Sequence, residues 1–223
     1  MIVASPLAAL ASSAPSLAAA QPALERAAAA EAPILLLGEP GTGRTSLARA
    51  LHAASSRRLG PLVEVDVAAI PTTLFESELF GHRPGAFTGA DTAVPGRVAR
   101  AEKGSLVLDP LEELPLAVQP KLLRLVAERL YAPLGGRETR ADVRFIAIAS
   151  PGLRRRVKEG LFRDDLYYRL DVLSFSLRPL RERVADLEPL LEFFLADLAN
   201  RLGRPPARLA PRAREWMLGH SWP

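Results

Sequence analysis

Short apolar runs separated by polar, glycine- and proline-bearing breaks set the rhythm of this chain. Pro33–Leu37 and Leu106-Val107-Leu108 (ending in Asp109) read as buried strands, Leu62–Val67 as a second strand and Val143–Ala149 as a further apolar one. Between them the apolar positions recur at helical spacing. Ser16–Ala30 reads as a helix, with Pro22 tolerable near a first turn, and so do Thr45–Ser56 and Leu116–Leu130. Buried strands alternating with helices predict an α/β fold with a parallel sheet wrapped on both faces. From Arg178 the pattern becomes purely helical: Val184–Arg201, a Gly203-Arg204-Pro205-Pro206 break, then Pro211–Leu218. We therefore expect a core over residues 1–178 and a smaller helical part over 179–223.

The first strand runs directly into Gly38-Glu39-Pro40-Gly41-Thr42-Gly43-Arg44-Thr45-Ser46 and then into a helix. Strand, glycine-rich turn and helix are the context of a phosphate-binding loop, and the G-x-x-x-x-G-K-[ST] spacing is met at Gly38, Gly43 and Thr45. Arg44 stands where the lysine is expected. The backbone N–H groups of Gly41–Thr45 and the following helix N-terminus favour an anion whatever the side chain is. Ligands of such sheets sit at the carboxyl ends of the strands, where this loop and Asp109 both fall. The expected ligands are ATP or ADP with Mg²⁺, held by Gly38, Glu39, Gly41, Thr42, Gly43, Arg44 and Thr45, with the Thr45 hydroxyl on the metal and Asp109 close by.

Composition narrows the chemistry. The absence of cysteine excludes disulfides, thiol catalysis and cysteine-ligated zinc, and the three histidines form no metal-ligand spacing. The net charge of +4 comes from arginines spread along the chain, weak support for nucleic-acid binding. The alanine-rich opening lacks a basic leading region and is broken by Pro6 and Pro15, so it reads as no secretory signal. No run approaches the roughly 20 apolar residues of a membrane span. A nucleotide-binding loop implies a cytoplasmic place.

Glu76–Ala90, ESELFGHRPGAFTGA, closely resembles the signature of the AAA+ central domains of sigma-54-dependent transcription activators, the bacterial enhancer-binding proteins. Leu114–Val126, Leu161–Val172 and Leu177–Leu187 are similar to that family in the right order, so the resemblance covers nearly the whole chain. It implies a P-loop AAA+ three-layer core with a partial C-terminal helical lid, and nucleotide bound between subunits of a ring. The ring is a homo-oligomer or one mixed with paralogues. It also implies that Gly85, Ala86, Phe87, Thr88, Gly89 and Ala90 form a loop that touches sigma-54 and its RNA polymerase, with Phe87 and Thr88 at the contact. Arg163 and Arg169 match the positions from which the family reaches a neighbour's γ-phosphate. A guanidinium suits that task, being always charged and able to bind phosphate bidentately. Solvated helix arginines paired with Asp164 or Asp165 are the alternative.

The chain departs from that family around the γ-phosphate. The family follows its metal-binding aspartate with a glutamate that orients water; here Asp109 is followed by Pro110. Asp66 stands where the family has an asparagine that holds this glutamate, and Ala149-Ser150 replaces a Thr-Asn sensor pair. A lost general base costs about 10²–10⁴ in rate, so with Arg44 these changes predict impaired hydrolysis. Glu112, where the family often has glycine, is the one substitute carboxylate in view. The family continues past this chain's end into the rest of its lid and a DNA-binding domain, which we do not expect within these residues.

Overall fold

The computed structural model describes residues 6–222. In chain order the elements are α1 (Pro6–Ser13), α2 (Gln21–Ala29), β1 (Ile34–Gly38), α3 (Arg44–Ala53), β2 (Leu62–Asp66), α4 (Thr72–Phe80), β3 (Gly81–His82), β4 (Val94–Pro95), α5 (Arg97–Arg100) and β5 (Ser105–Asp109). There follow α6 (Gln119–Glu128), β6 (Leu130–Tyr131), β7 (Thr139–Arg140), β8 (Arg144–Ala149), α7 (Leu153–Lys158), α8 (Asp164–Leu170), β9 (Leu173–Leu177), α9 (Leu187–Leu202) and α10 (Pro211–Gly219).

Five strands form one parallel sheet in the order β2-β5-β8-β1-β9. Alternate side chains on its central strands serve opposite cores, because successive Cβ atoms point to opposite faces. Leu35, Leu106, Leu108 and Phe145 pack with Phe75, Phe80, Leu122 and Leu166 on one side. Ile34, Leu36, Val107 and Ile148 pack with Leu24, Leu47 and Leu51 on the other. Two buried faces explain why these strands read as unbroken apolar runs.

The four strands and five helices expected from the pattern are present, with ends shifted by a few residues. The fifth strand, β9, was not expected: Leu-Ser-Phe-Ser-Leu is half exposed on the sheet's edge, and its alternation is weak beside those of its neighbours. The helix expected from Leu116 begins at Gln119, where Pro120 supplies a favourable first-turn residue. Arg144, almost fully buried on β8, donates to the carbonyls of Ala27 and Ala28 at the end of α2. It thereby closes α2 with a positive charge, where a helix C-terminus favours one. Among the described residues no helix is long and apolar enough to cross a membrane.

Candidate nucleotide site

The loop between β1 and α3 is shaped by its glycines. Gly41 and Gly43 have φ of 80° and 91°, a region that costs a side-chain-bearing residue energy, so glycine belongs there. At Gly38 the constraint is space: a Cβ would lie 2.7 Å from Thr42 Oγ1 and 2.9 Å from the Leu177 carbonyl. Thr42 is buried and closes the turn by donating from Oγ1 to the Glu39 carbonyl at 2.8 Å. The loop then enters α3 at Arg44, which leaves the helix's first N–H groups facing the concavity.

Arg44 does not reach outward. Its Nη1 donates to the carbonyl of Gly38 at 2.7 Å, so the guanidinium braces the loop's own first residue. Thr45 Oγ1 donates to Asp109 Oδ2 at 3.2 Å, which joins the loop to the carboxyl end of β5. A cavity of about 340 Å³ opens at this junction, lined among others by Thr45, Glu64, Asp66, Asp109 and Pro110. Burial pushes the Asp109 carboxyl above the usual carboxylate range; the Arg44 charge and the Thr45 hydroxyl oppose this, while Glu112 and Asp66 add to it. A half-buried carboxylate held up by its surroundings gains from a cation. Hydroxyl and carboxylate are hard oxygen donors of the kind Mg²⁺ accepts while keeping most of its waters. The pair fits such an ion, although no cluster of three or more acidic or histidine side chains able to hold a metal occurs among the described residues.

The other expected residues divide into two groups. Asp66 and Pro110 line the cavity. Ser150 lies at the end of β8, where its N–H donates to Glu112 Oε1 at 2.9 Å. That bond and burial keep Glu112 out of the cavity lining. Glu39 receives both arms of Arg181, at 2.8 and 2.7 Å, and this holds its carboxyl below the ordinary range.

Arg163 and Arg169 are not brought to this loop. Arg163 pairs with Asp165 at 2.7 Å, and its N–H is held by the buried Gln119. Arg169 donates to the Ala127 carbonyl at 3.1 Å. Both guanidinium groups are on the exterior, away from the chain's own Gly38–Thr45.

The Gly85–Ala90 loop is a closed turn rather than a floppy insertion. Gly85 N–H donates to the Ala90 carbonyl at 2.8 Å, and Gly85 and Gly89 take φ of 77° and 92°. The β3–β4 pair brackets the loop, and Leu134 grips its stem through backbone bonds to Gly81 and Arg83. Phe87 is 43% exposed and rests edge-on against His82, with ring centroids 4.9 Å apart. It is not tucked into either core.

Sequence reasoning passed over one residue of the site. Arg183, beyond β9, donates from Nη2 to the Thr42 carbonyl at 2.7 Å. It is held by Asp186, which is fully buried and also accepts the N–H and hydroxyl of Ser16. The only local signal is an Arg-x-x-Asp spacing, which any exposed ion pair could produce.

Comparison with known proteins agrees with this geometry. The model of the Sigma-54 interaction domain matches residues 10–176. The chain is 46% identical over 191 residues to the DNA-binding transcriptional regulator NtrC of a Bradyrhizobium species, covering 85% of this chain and 40% of that one. It is 44% identical to the regulatory protein AtoC of Escherichia coli, covering 88% of this chain and 43% of AtoC. The chain thus spans less than half the length of these relatives. Among solved structures, NtrX from Brucella abortus in complex with ATP superposes with a TM-score of 0.85 at 33% identity, over 93% of this chain and 45% of NtrX. A complex of NtrX with ADP gives 0.84. With its phosphate-loop architecture and a match across most of its length, the chain belongs to the family of sigma-54 interaction domains of transcriptional regulators.

Proposed function

We propose that this chain is the ATP-binding AAA+ domain of a sigma-54-dependent transcriptional regulator, in which hydrolysis is slow and Gly85–Ala90 contacts sigma-54. The observation that carries the nucleotide reading is the bond from Thr45 to Asp109. It places a hydroxyl and a half-buried carboxylate beside the amides that would cradle phosphate. Thr45 and Asp109 would hold the Mg²⁺ that accompanies the nucleotide, and the cation would neutralise phosphate charge. Loop amides of Gly41–Thr45 bind the phosphates, and Arg44 contributes charge from its braced position. NtrX, solved with ATP and with ADP, supports the same ligand here.

Slow hydrolysis follows from Pro110, which offers no carboxylate beside Asp109. The outward placing of Arg163 and Arg169 supports a role on a neighbour's nucleotide in a ring, of this chain or mixed with paralogues. On this reading residues 1–178 are the nucleotide-binding core and 179–223 part of a helical lid. The test is titration with a fluorescent ATP analogue, together with phosphate release measured alone and with an intact paralogue. Saturable, Mg²⁺-dependent binding that is lost in Gly43→Trp is expected; no binding at millimolar nucleotide overturns the reading.

A further inference from the structure

Three carboxylates line the cavity beside the phosphate loop, Glu64, Asp66 and Asp109, and two of them are engaged. Asp109 accepts the Thr45 hydroxyl. Glu64 is gripped by both arms of Arg49, at 2.6 and 2.8 Å. Outside that lining, Glu112 is buried, with Oε1 on the Ser150 N–H and Oε2 without a partner, and Glu113 pairs with Arg156 at 3.3 Å. Asp66 differs. Among the described residues its one hydrogen bond is from the Ala69 N–H to Oδ1 at 3.2 Å, so Oδ2 is free.

Its placement is specific. Asp66 is the last residue of β2 and lies in register with Asp109, the last residue of β5. Adjacent strands lie about 4.8 Å apart, and residues in register share a face. Val65 and Val67 enter the core on one side of the sheet, so Asp66 faces the other, with Glu64 and the loop-bearing helix α3. Asp66 therefore lines the Thr45–Asp109 cavity, and it also lines an adjoining one of about 470 Å³.

We propose that Asp66 is the carboxylate that orients the attacking water and takes its proton. The carboxylate missing at position 110 is thus supplied from the next strand. The inference rests on the reading of the loop as an ATP site. In the step, a lone pair of the water oxygen forms the new bond to the γ-phosphorus. The bond from that phosphorus to the β–γ bridging oxygen breaks, and its electron pair leaves on ADP. The water proton passes to Asp66 and then to solvent. An aspartate reaching across from a neighbouring strand aligns water less firmly than a glutamate next to Asp109, so turnover is slow but belongs to this chain.

The full chain is tested as wild type, Asp66→Asn, Glu112→Gln and Asp66→Asn with Pro110→Glu. Asparagine keeps an Oδ1 for the Ala69 N–H, so the strand end is retained. ATP binding, phosphate release and retention of ADP with aluminium fluoride are measured on each. Asp66→Asn should bind ATP as wild type does, release phosphate about 10²-fold more slowly and retain the fluoride complex less well. Glu112→Gln should release phosphate at the wild-type rate. With Pro110→Glu present, Asp66→Asn should cease to be harmful, because the base has moved. Equal phosphate release by wild type and Asp66→Asn, or none by wild type while ATP still binds, overturns the assignment of Asp66 alone. Failure of wild type to bind ATP overturns the nucleotide reading and the assignment together.

Discussion

Asp186→Ala should damage this fold more than any surface change of similar size. The side chain is fully buried, accepts the Ser16 N–H at 2.8 Å and the Ser16 hydroxyl, and pairs with Arg183, itself only 10% exposed. Truncation leaves the Arg183 guanidinium in a buried place without its counter-charge, which costs about 3–5 kcal/mol. In a domain of this size each kcal/mol lowers Tm by about 2–4 °C, so a fall of about 6–20 °C is expected. Arg183 also holds the Thr42 carbonyl, so nucleotide affinity should fall with stability. Replacing Arg183 by Leu in the same protein removes the orphaned charge and should recover part of the loss in Tm, but not the affinity. Calorimetric melting and nucleotide titration of the single and double variants measure both. A melting point for Asp186→Ala within about 2 °C of wild type would refute the reasoning, since it would mean the pair is not desolvated.

Phe87→Ala should weaken capture of sigma-54 in a pull-down with ADP and aluminium fluoride, by about 2 kcal/mol or roughly 30-fold, and leave nucleotide affinity unchanged; equal capture would remove the sigma-54 role. Arg44→Lys alone should not bring turnover to family-like rates, because no carboxylate stands at 110; with Pro110→Glu and Asp66→Asn the gain should exceed the sum of the single effects. Because burial raises the Asp109 carboxyl, this group takes a proton at a higher pH than an ordinary aspartate. The proton competes with Mg²⁺, so Mg²⁺-dependent nucleotide affinity should decline as pH falls towards the carboxylate range, and Asp109→Asn should abolish the decline. For the free protein the sign is opposite: the raised acid favours the fold at low pH, and that contribution is lost as pH rises through its folded value.

The phosphate loop was legible because its glycines and its strand-to-helix context are local, and the central strands because burial on two faces writes an unbroken apolar run. β9 escaped because an edge strand with serines at alternate positions carries little pattern. What could not be read were ties between distant segments. Arg183 meets Thr42 across 141 residues and Asp186 meets Ser16 across 170, and no spacing rule encodes either. Arg44 was legible as a departure from the lysine, but its turn back to the Gly38 carbonyl was not. Glu112 looked like a spare carboxylate in sequence; only the fold shows it buried outside the cavity lining, with Oε1 on the Ser150 N–H.

The sheet order also governs how the chain can be born on a ribosome. β1, the most apolar strand, lies between β8 and β9, both made long after it. The buried Arg144 that closes α2 is 117 residues downstream of the carbonyl it binds. At about 5–20 residues per second, roughly 6–23 s pass between the synthesis of these partners. Throughout that interval Ile34-Leu35-Leu36-Leu37 has no strand on either side and must be covered by α2, α3 or a chaperone. The same wiring that sets the phosphate loop on an interior strand, fourth of five, therefore leaves that apolar strand exposed to aggregation during synthesis.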